Sequence, residues 1–199
     1  MFDIFERYIR QIGNVPEADL TMAREKCAVK KLRKGQSLLH EGEIWSMNCF
    51  ITSGCLRLYR TDKEGAEHTA RFGIENWWMT DMESYTYQKP SEYNIEALSS
   101  STVIVWTKTA WDEILNISPA MKLFNDQLLE RAYIASQKRI FSLISSNAAE
   151  KYFEYQKTYP NVFNKVPLHM VASYLGISRE TLSRIRREYA NFDGLINKA

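Results

Sequence analysis

The spacing of apolar residues changes twice along the chain, and this change restricts the fold more than any other feature. Residues 1–25 have apolar side chains three and four positions apart, as in an amphipathic helix. Residues 26–107 instead contain short runs of β-forming residues bounded by Gly, Ser or Pro, and from residue 108 the helical spacing returns. Many short strands without long helices between them favour an antiparallel barrel or jelly roll over a parallel sheet.

The strand region contains one clear hairpin. Residues 49–60 and 67–72 are predicted to pair across the turn TDKEG at 61–65, in which Gly65 can adopt a positive φ. Shorter strands are predicted at 37–40, 94–98 and 102–106. These segments predict an antiparallel β-roll of the jelly-roll type within an α+β fold.

A long helix is predicted after the strands. A short helix at 109–116 precedes Ser118 and Pro119, which combine an N-cap with a proline at the first helical position. The next stretch, to about residue 155, contains no Gly or Pro. Its predicted apolar stripe consists of Met121, Phe124, Leu128, Ala132, Ala135, Ile140, Leu143 and Ile144. Because helices of this length usually pack along another helix, we expect at least part of the stripe to form a dimer interface.

Residues 167–189 predict a helix-turn-helix. Pro167 begins a first helix, Gly176 allows the left-handed backbone of a tight turn, and Ser178 can cap a second helix. The buried residues of the second helix are predicted to be Leu182, Ile185 and Tyr189. The spacing of these residues on both sides of the turn is that of helix-turn-helix units.

A linker separates the long helix from this unit. The sequence Tyr-Pro-Asn at 159–161 ends the helix. We therefore expect a β-roll domain at 1–117, a long dimerisation helix at 118–158 and a helix-turn-helix domain at 159–199.

No apolar run approaches the ~18 residues of a membrane span, and the first residues lack the uninterrupted apolar segment of a signal peptide. The expectation is a cytoplasmic protein that does not bind membranes.

The second helix of the unit has a face suited to DNA. The polar residues opposite its apolar side are Arg179, Glu180, Ser183, Arg184 and Arg187. An arginine can bond to O6 and N7 of guanine, and a glutamate can accept a hydrogen bond from N4 of cytosine. Residues 165–199 hold six bases against three acids, which favours a polyanionic partner. The pattern favours double-stranded DNA over an ordinary helical hairpin with a solvated basic face.

The segment GISRETLSRIR at 176–186 resembles the recognition element of the Crp-Fnr family of bacterial transcription regulators. The predicted order of β-roll, long helix and helix-turn-helix is also similar to that family. The resemblance implies a homodimer on a two-fold-symmetric operator, with RNA polymerase as a further partner. By position, Arg179, Glu180 and Arg184 match the family's base-reading residues, which predicts a half-site similar to TGTGA. We add Ser183, which shares their face. Phosphate contacts are predicted for Ser178, Arg186, Arg187 and Lys165.

Two departures from the family pattern change the expected function. Members that bind cyclic AMP use a Gly-Glu pair for the ribose and an Arg-Ser pair for the cyclic phosphate. Here Thr80-Asp81 and Ser91-Glu92-Tyr93 stand at those places. Serine in place of the arginine, with a carboxylate beside it, makes the site repel an anion, so neither cyclic AMP nor cyclic GMP is expected to bind by the usual contacts. In addition, only ten residues follow Tyr189, so we expect no wing of paired strands.

The sequence predicts no metal or other cofactor. The cysteines are Cys27, Cys49 and Cys55, and they lack both a C-x-x-C pair and the N-terminal clustering of iron–sulfur regulators. The histidines are His40, His68 and His169, and they fall in segments of different kinds. Strand cysteines are usually small core residues.

Aromatic residues are concentrated where the family's ligand pocket would lie. They include Trp77, Trp78, Met79, Tyr85 and Tyr93. Such side chains can line a pocket for an apolar small-molecule effector that switches DNA binding. They can also simply fill the space that a nucleotide would occupy, and this second interpretation is favoured.

Three classes of function follow from these observations. A dimeric DNA-binding regulator without catalytic activity agrees with most of them. A jelly-roll enzyme would need a histidine and carboxylate cluster, which the scattered histidines do not provide. A module whose helix-turn-helix binds protein is the remaining alternative.

Overall fold

The computed structural model describes residues 1–160, 162 and 166–196, with side chains up to Tyr189. The helices are α1 (Phe2–Ile12), α2 (Glu17–Glu25), α3 (Met82–Tyr87), α4 (Lys108–Ile117), α5 (Pro119–Ser145), α6 (Ala148–Thr158), α7 (Leu168–Leu175) and α8 (Arg179–Ile196). The strands are β1 (Ala28–Leu32), β2 (Ser37–Leu39), β3 (Met47–Ser53), β4 (Cys55–Thr61), β5 (Glu67–Ile74), β6 (Trp78–Met79), β7 (Asn94–Ala97) and β8 (Ser101–Thr107).

The strands form two antiparallel four-stranded sheets, ordered β1-β8-β3-β6 and β2-β7-β4-β5. Side chains alternate between the two faces of each strand. On β8, Val103 and Val105 point between the sheets, while Ile104 and Trp106 point to the outside. The predicted antiparallel β-roll and the α+β class are therefore confirmed.

Each outer face of the roll is covered by helices. The first sheet packs against α1, α2, α4 and the start of α5 through an aromatic cluster that includes Phe5, Trp106 and Trp111. The indole nitrogen of Trp106 donates a hydrogen bond to the carbonyl of Ala23 at 2.7 Å. The second sheet packs against α6, α7 and α8, and Phe72 of β5 is fully enclosed there.

The predicted hairpin is only partly right. Strands β4 and β5 pair across residues 62–66, and Gly65 has the expected positive φ of 85°. Residues 49–60, however, do not form a single strand. The chain turns a corner at Gly54, with φ 99°, so that β3 and β4 belong to different sheets. Only glycine adopts this backbone without strain.

The predicted long helix is shorter than expected. Ser118 caps α5 through a hydrogen bond from the Met121 amide at 3.0 Å, as predicted, but the helix ends at Ser145 rather than near residue 158. Asn147 then caps α6 and forms a capping box with Glu150. This reciprocal pair satisfies the free amides of a new helix start, so α6 begins without a Gly or Pro break. In the part of the chain that the structure describes, no helix could span a membrane.

Gly54 provides a test of the corner between the sheets. A Cβ at this position would lie 2.6 Å from the Cα of Ser101, whereas a Cβ on Gly65 would meet nothing within 4 Å. Both substitutions force alanine into a positive φ, which costs about 1–2 kcal/mol. We expect Gly54→Ala to cost about 1–3 kcal/mol more than Gly65→Ala, because the overpacking adds to the backbone strain. Urea unfolding of both variants measures the difference, and equal losses would contradict it.

Candidate nucleic-acid interface

The turn between α7 and α8 has the geometry that its sequence predicts. Gly176 lies in the left-handed region with φ 64° and ψ 37°. The amide of Ile177 donates to the carbonyl of Ala172 at 3.1 Å, which closes the end of α7. The Ser178 hydroxyl then accepts a hydrogen bond from the Thr181 amide at 3.1 Å. This side chain therefore satisfies one of the free amides at the start of α8.

The two helices pack through a short apolar seam. Val171, Ala172 and Leu175 of α7 are buried, as are Leu182 and Ile185 of α8. These five residues fix how the second helix lies against the first.

Tyr189 does not extend this seam, and the prediction that it is buried is wrong. Its side chain is 40% exposed. The ring packs edge-on against Phe153 of α6, with 4.3 Å between the ring centroids. The apolar seam of α8 therefore ends at Ile185, because the next turn of the helix packs against α6.

The outer face of α8 is left open to solvent. Arg179, Glu180 and Arg184 are exposed, as is Arg187, while Ser183 is partly buried. At 100° per residue these positions lie within about 140° of the helix surface, on the side opposite Leu182 and Ile185. Among the contacts that the structure describes, the three arginines and the glutamate have no hydrogen bond or ion pair. Their charges are therefore available to an external partner.

The residues predicted to contact phosphate differ in their surroundings. Arg187 is exposed on the same side of α8, and the exposed Ser178 lies at the start of that helix. Arg186 is also exposed, but it hydrogen-bonds the hydroxyl of Tyr152 on α6. This bond opposes the dominant effect of burial, which raises the pKa of Tyr152. Lys165 lies outside the described residues.

Two side chains that the sequence did not single out hold α7 against the roll. Strand β5 lies at the edge of its sheet. The Ser173 hydroxyl accepts from the Thr69 amide at 2.9 Å and donates to the Glu67 carbonyl at 3.0 Å. Arg139 of α5 donates to the carbonyls of Ala70 and Tyr174. The unit of α7 and α8 is thus bound to the main chain of an edge strand.

Arg139 is also fixed by an aromatic contact. Its guanidinium carbon lies 3.9 Å from the centre of the Tyr174 ring, a cation–π distance. The sequence offers no signal for this role, because an arginine at this position has the appearance of an ordinary charged residue on a helix surface.

The segments at the predicted nucleotide position form an internal network instead. Asp81 is buried and caps α3 by accepting from the amides of Glu83 and Ser84. Ser91 donates its hydroxyl proton to Asp81 at 2.6 Å. Glu92 is paired with Arg60 at 2.7 Å. Asp81, Ser91 and Glu92 carry no positive charge, and the guanidinium of Arg60 is paired with Glu92.

Comparison with known proteins agrees with this geometry. Residues 29–118 match the family model of the cyclic nucleotide-binding domain. The structure is similar to FixK2 from Bradyrhizobium japonicum, with a TM-score of 0.74 and 13% identity over 84% of this chain and 86% of that one. It is also similar to CLP, the c-di-GMP-responsive global regulator from Xanthomonas campestris, with a TM-score of 0.71 and 10% identity over 90% and 94% of the two chains.

A third solved structure carries the family name. It is a transcriptional regulator of the crp/fnr family from Eubacterium rectale, with a TM-score of 0.65 and 17% identity over 88% of this chain and 84% of that one. The chain has the Crp-Fnr fold. The resemblance predicted from residues 176–186 is thereby confirmed at the level of the fold. No curated protein matches the chain by sequence.

Within this Crp-Fnr roll, the five residues of the predicted effector pocket do not share one wall. Met79 and Tyr85 are buried between the sheets, and Trp77 and Tyr93 pack against the same core at its margins. Trp78 is placed on the other side of the first sheet, in the aromatic cluster beneath α1, because it precedes Met79 on a strand. Its assignment to the pocket is therefore wrong. The Tyr85 hydroxyl is bonded to Asn48 at 2.8 Å, which ties this ring into the core.

The cysteines of this chain have the surroundings of core residues. Cys49 and Cys55 are buried, and burial raises the pKa of the Cys49 thiol to about 12. A thiol with such a pKa remains protonated near neutral pH and is a poor metal ligand. Over the described residues, no group of three or more His, Cys, Asp or Glu side chains could hold a metal ion.

The network around Asp81 leads to a prediction about cyclic nucleotides. We expect cyclic AMP and cyclic GMP to show no saturable binding in calorimetric titrations of the full chain. The physical reason is that Ser91 is committed to Asp81 and that a carboxylate, Glu92, follows it. Tight binding of either nucleotide at one site per chain would contradict this prediction.

Proposed function

We propose that this protein is a sequence-specific DNA-binding transcription regulator of the Crp-Fnr type, acting as a homodimer without catalytic activity. The observation that carries the proposal is the outer face of α8, where Arg179, Glu180 and Arg184 are exposed opposite the buried Leu182 and Ile185. Such a helix fits the major groove. Its guanidinium and carboxylate groups can form hydrogen bonds with the base edges there.

The roles within this face divide by chemistry. Arg179 and Arg184 bond to guanine, and Glu180 accepts from cytosine, with Ser183 between them. Arg187 and Ser178 contact phosphate and set the register of the helix. Arg186 contributes less, because it is engaged by Tyr152. The proposed half-site is similar to TGTGA, and the regulator acts in the cytoplasm together with RNA polymerase.

The homodimer is proposed to form along α5. Seven large apolar side chains on this helix are 41–80% exposed in the single chain, and the proposed seam consists of Leu129, Tyr133, Ile140 and Ile144. Their positions lie within about 60° of one another around the helix, as a seam between two helices requires. A dimer of this type requires the two copies of α8 to lie in successive major grooves, about 34 Å apart.

The DNA contacts are tested by selecting bound sites from random duplexes. We expect the wild-type protein to select two-fold-symmetric sites with TGTGA-like halves. Arg179→Ala and Arg184→Ala should each lose about 1–3 kcal/mol and relax the sequence preference, because a base contact is removed. Arg187→Ala should weaken all duplexes equally and reduce the salt dependence by about one unit of slope.

Two results would decide against these roles. Unchanged selection by both base-contact variants, measured on protein that remains dimeric, would place DNA binding on another surface. Absence of any selected motif for the wild type would refute the proposed function. Lys157→Met, on the exposed last turn of α6, provides a matched control that should select the same sites as the wild type.

The dimer seam is tested separately by charge insertion. Ile140→Glu should weaken the dimer by at least about tenfold, because two-fold symmetry would bury two carboxylates at the seam. Arg131→Glu, an exposed position about 170° around α5 from the centre of the seam, should leave the dimer intact. Sedimentation velocity measures both. A dimer that survives Ile140→Glu, or dissociates with Arg131→Glu, would show that another face mediates dimerisation.

A further inference from the structure

A cavity of about 170 Å³ lies where α5, α6 and α7 meet. It is distinct from the interior of the β-roll, because its walls come from the three helices. Among its lining residues are Lys138 and Arg139 of α5, Lys151 of α6 and Tyr174 of α7. The residues of this cavity take no part in the DNA face described above.

The charges around the cavity are mostly positive. Lys138, Arg139 and Lys151 supply three cations, and Glu154 is the acid among the lining residues. Glu154 already accepts a hydrogen bond from Ser142 at 2.8 Å. Within the described part of the chain, neither lysine has a carboxylate in ion-pairing distance. The cavity therefore has an excess of positive charge, with three cations against the single carboxylate of Glu154.

Arg139 leaves a hydrogen-bond donor unused at this site. Its terminal nitrogens bond to main-chain carbonyls, which fixes the plane of the guanidinium. Its Nε is buried and has no acceptor within the described structure. Buried donors without an acceptor are rare in folded proteins, because the lost hydration is not replaced.

A second arginine in the same condition lies nearby. Arg71 of β5 also has a buried Nε without an acceptor among the described residues, and one of its terminal nitrogens lies 4.0 Å from the sulfur of Met79. Burial lowers its pKa, Tyr159 and Tyr174 oppose this effect, and the charge of Arg139 adds to it. Two neighbouring guanidinium groups without a carboxylate repel each other, and an anion placed beside them would relieve this repulsion.

The remaining walls are aromatic and aliphatic. Tyr155, Tyr159 and Tyr174 line the cavity together with Leu143 and Leu175. The hydroxyls of Tyr159 and Tyr174 are bonded to each other at 3.1 Å, so they are partly satisfied without a ligand. A protein cavity of about 150 Å³ with apolar walls is large enough for benzene. The present cavity is large enough for one aromatic ring with a small substituent.

We propose that this cavity is a binding site for a small organic anion, specifically a single-ring aromatic carboxylate. The carboxylate lies among Lys138, Lys151 and the guanidinium of Arg139, and the ring packs against the tyrosines. Charge-assisted hydrogen bonds provide the selectivity for an anion, and the ring provides apolar contact.

The site remains accessible in the proposed dimer. Ala135, Arg139 and Ser142 line the cavity from one side of α5. The exposed Ile140 and Ile144 of the seam lie about 140–180° around the helix from Ala135. A second copy packed on the seam therefore does not cover the cavity.

The probe for this proposal is 4-fluorobenzoate, observed by ¹⁹F NMR during titration with the full-length protein in the absence of DNA. We expect saturable binding at one site per chain. The neutral isostere 4-fluorobenzamide should bind at least about tenfold more weakly, because it lacks the charge that the cations recognise. This comparison uses only the wild-type protein and does not depend on how any variant folds.

Variants then locate the binding. The double variant Lys138→Met, Lys151→Met should bind 4-fluorobenzoate at least about tenfold more weakly, and Lys157→Met, outside the cavity, should bind as the wild type does. Circular dichroism confirms that each variant is folded. Failure of 4-fluorobenzoate to saturate, equal binding of the amide, or full binding by the double variant would each overturn the proposal. Because no DNA is present, such a failure would leave the proposed function untouched.

Discussion

The position of α8 depends on the edge of β5 that no other strand pairs with. An edge strand presents amides and carbonyls that another group must satisfy or leave to water. In this protein the hydroxyl of Ser173 bonds to two main-chain groups of that edge, and Arg139 bonds to a third. Because the bonds are made to main chain, they fix the place of α7 by the backbone of β5. The tight turn at Gly176 then passes this orientation on to α8.

Arginines in this chain are used in contrasting ways. Arg57 of β4 is 1% exposed, and it is bonded to Thr69, Glu67 and Glu96. A buried charge requires such partners, because its hydration is lost. Arg179 and Arg184 are exposed and keep their hydration, so they need no internal partner. Arg71 and Arg139 fit neither case, since each has a buried donor without an acceptor.

Short sequence patterns were sufficient to predict helix boundaries where one residue controls the local backbone conformation. Ser118 with Pro119, and Gly176 with Ser178, each predicted a helix boundary that the structure contains. The exposed face of α8 also followed from spacing alone, because helical periodicity decides which side chains lie opposite the apolar seam. The capping pair of Asn147 and Glu150 also marks the start of α6 in the sequence. This helix start was not predicted, because the stretch around it contains no Gly or Pro.

Some elements of the fold are set by tertiary contacts and could not be predicted from the sequence. The corner at Gly54 sends β3 and β4 to different sheets, although the residues on either side are equally strand-forming. Residues 28–32, strand β6 and helix α3 were not predicted, because they are short and depend on pairing with distant segments. Arg139 could not be distinguished from a solvated helix residue, since its partners lie on β5 and α7.

The stripe predicted along α5 combines two faces of the helix, and this explains how one element can serve two purposes. Met121 and Phe124 are buried against the roll, and Ala135 continues their side of the helix to the cavity. The next predicted position, Ile140, follows five residues later, which rotates it by about 140° onto the exposed side. One side of α5 therefore holds the protein's own domains together, and the other is free for a second copy. Since both sides belong to one helix, the contacts that hold α7 against the roll also fix the orientation of α8 relative to the exposed side of α5.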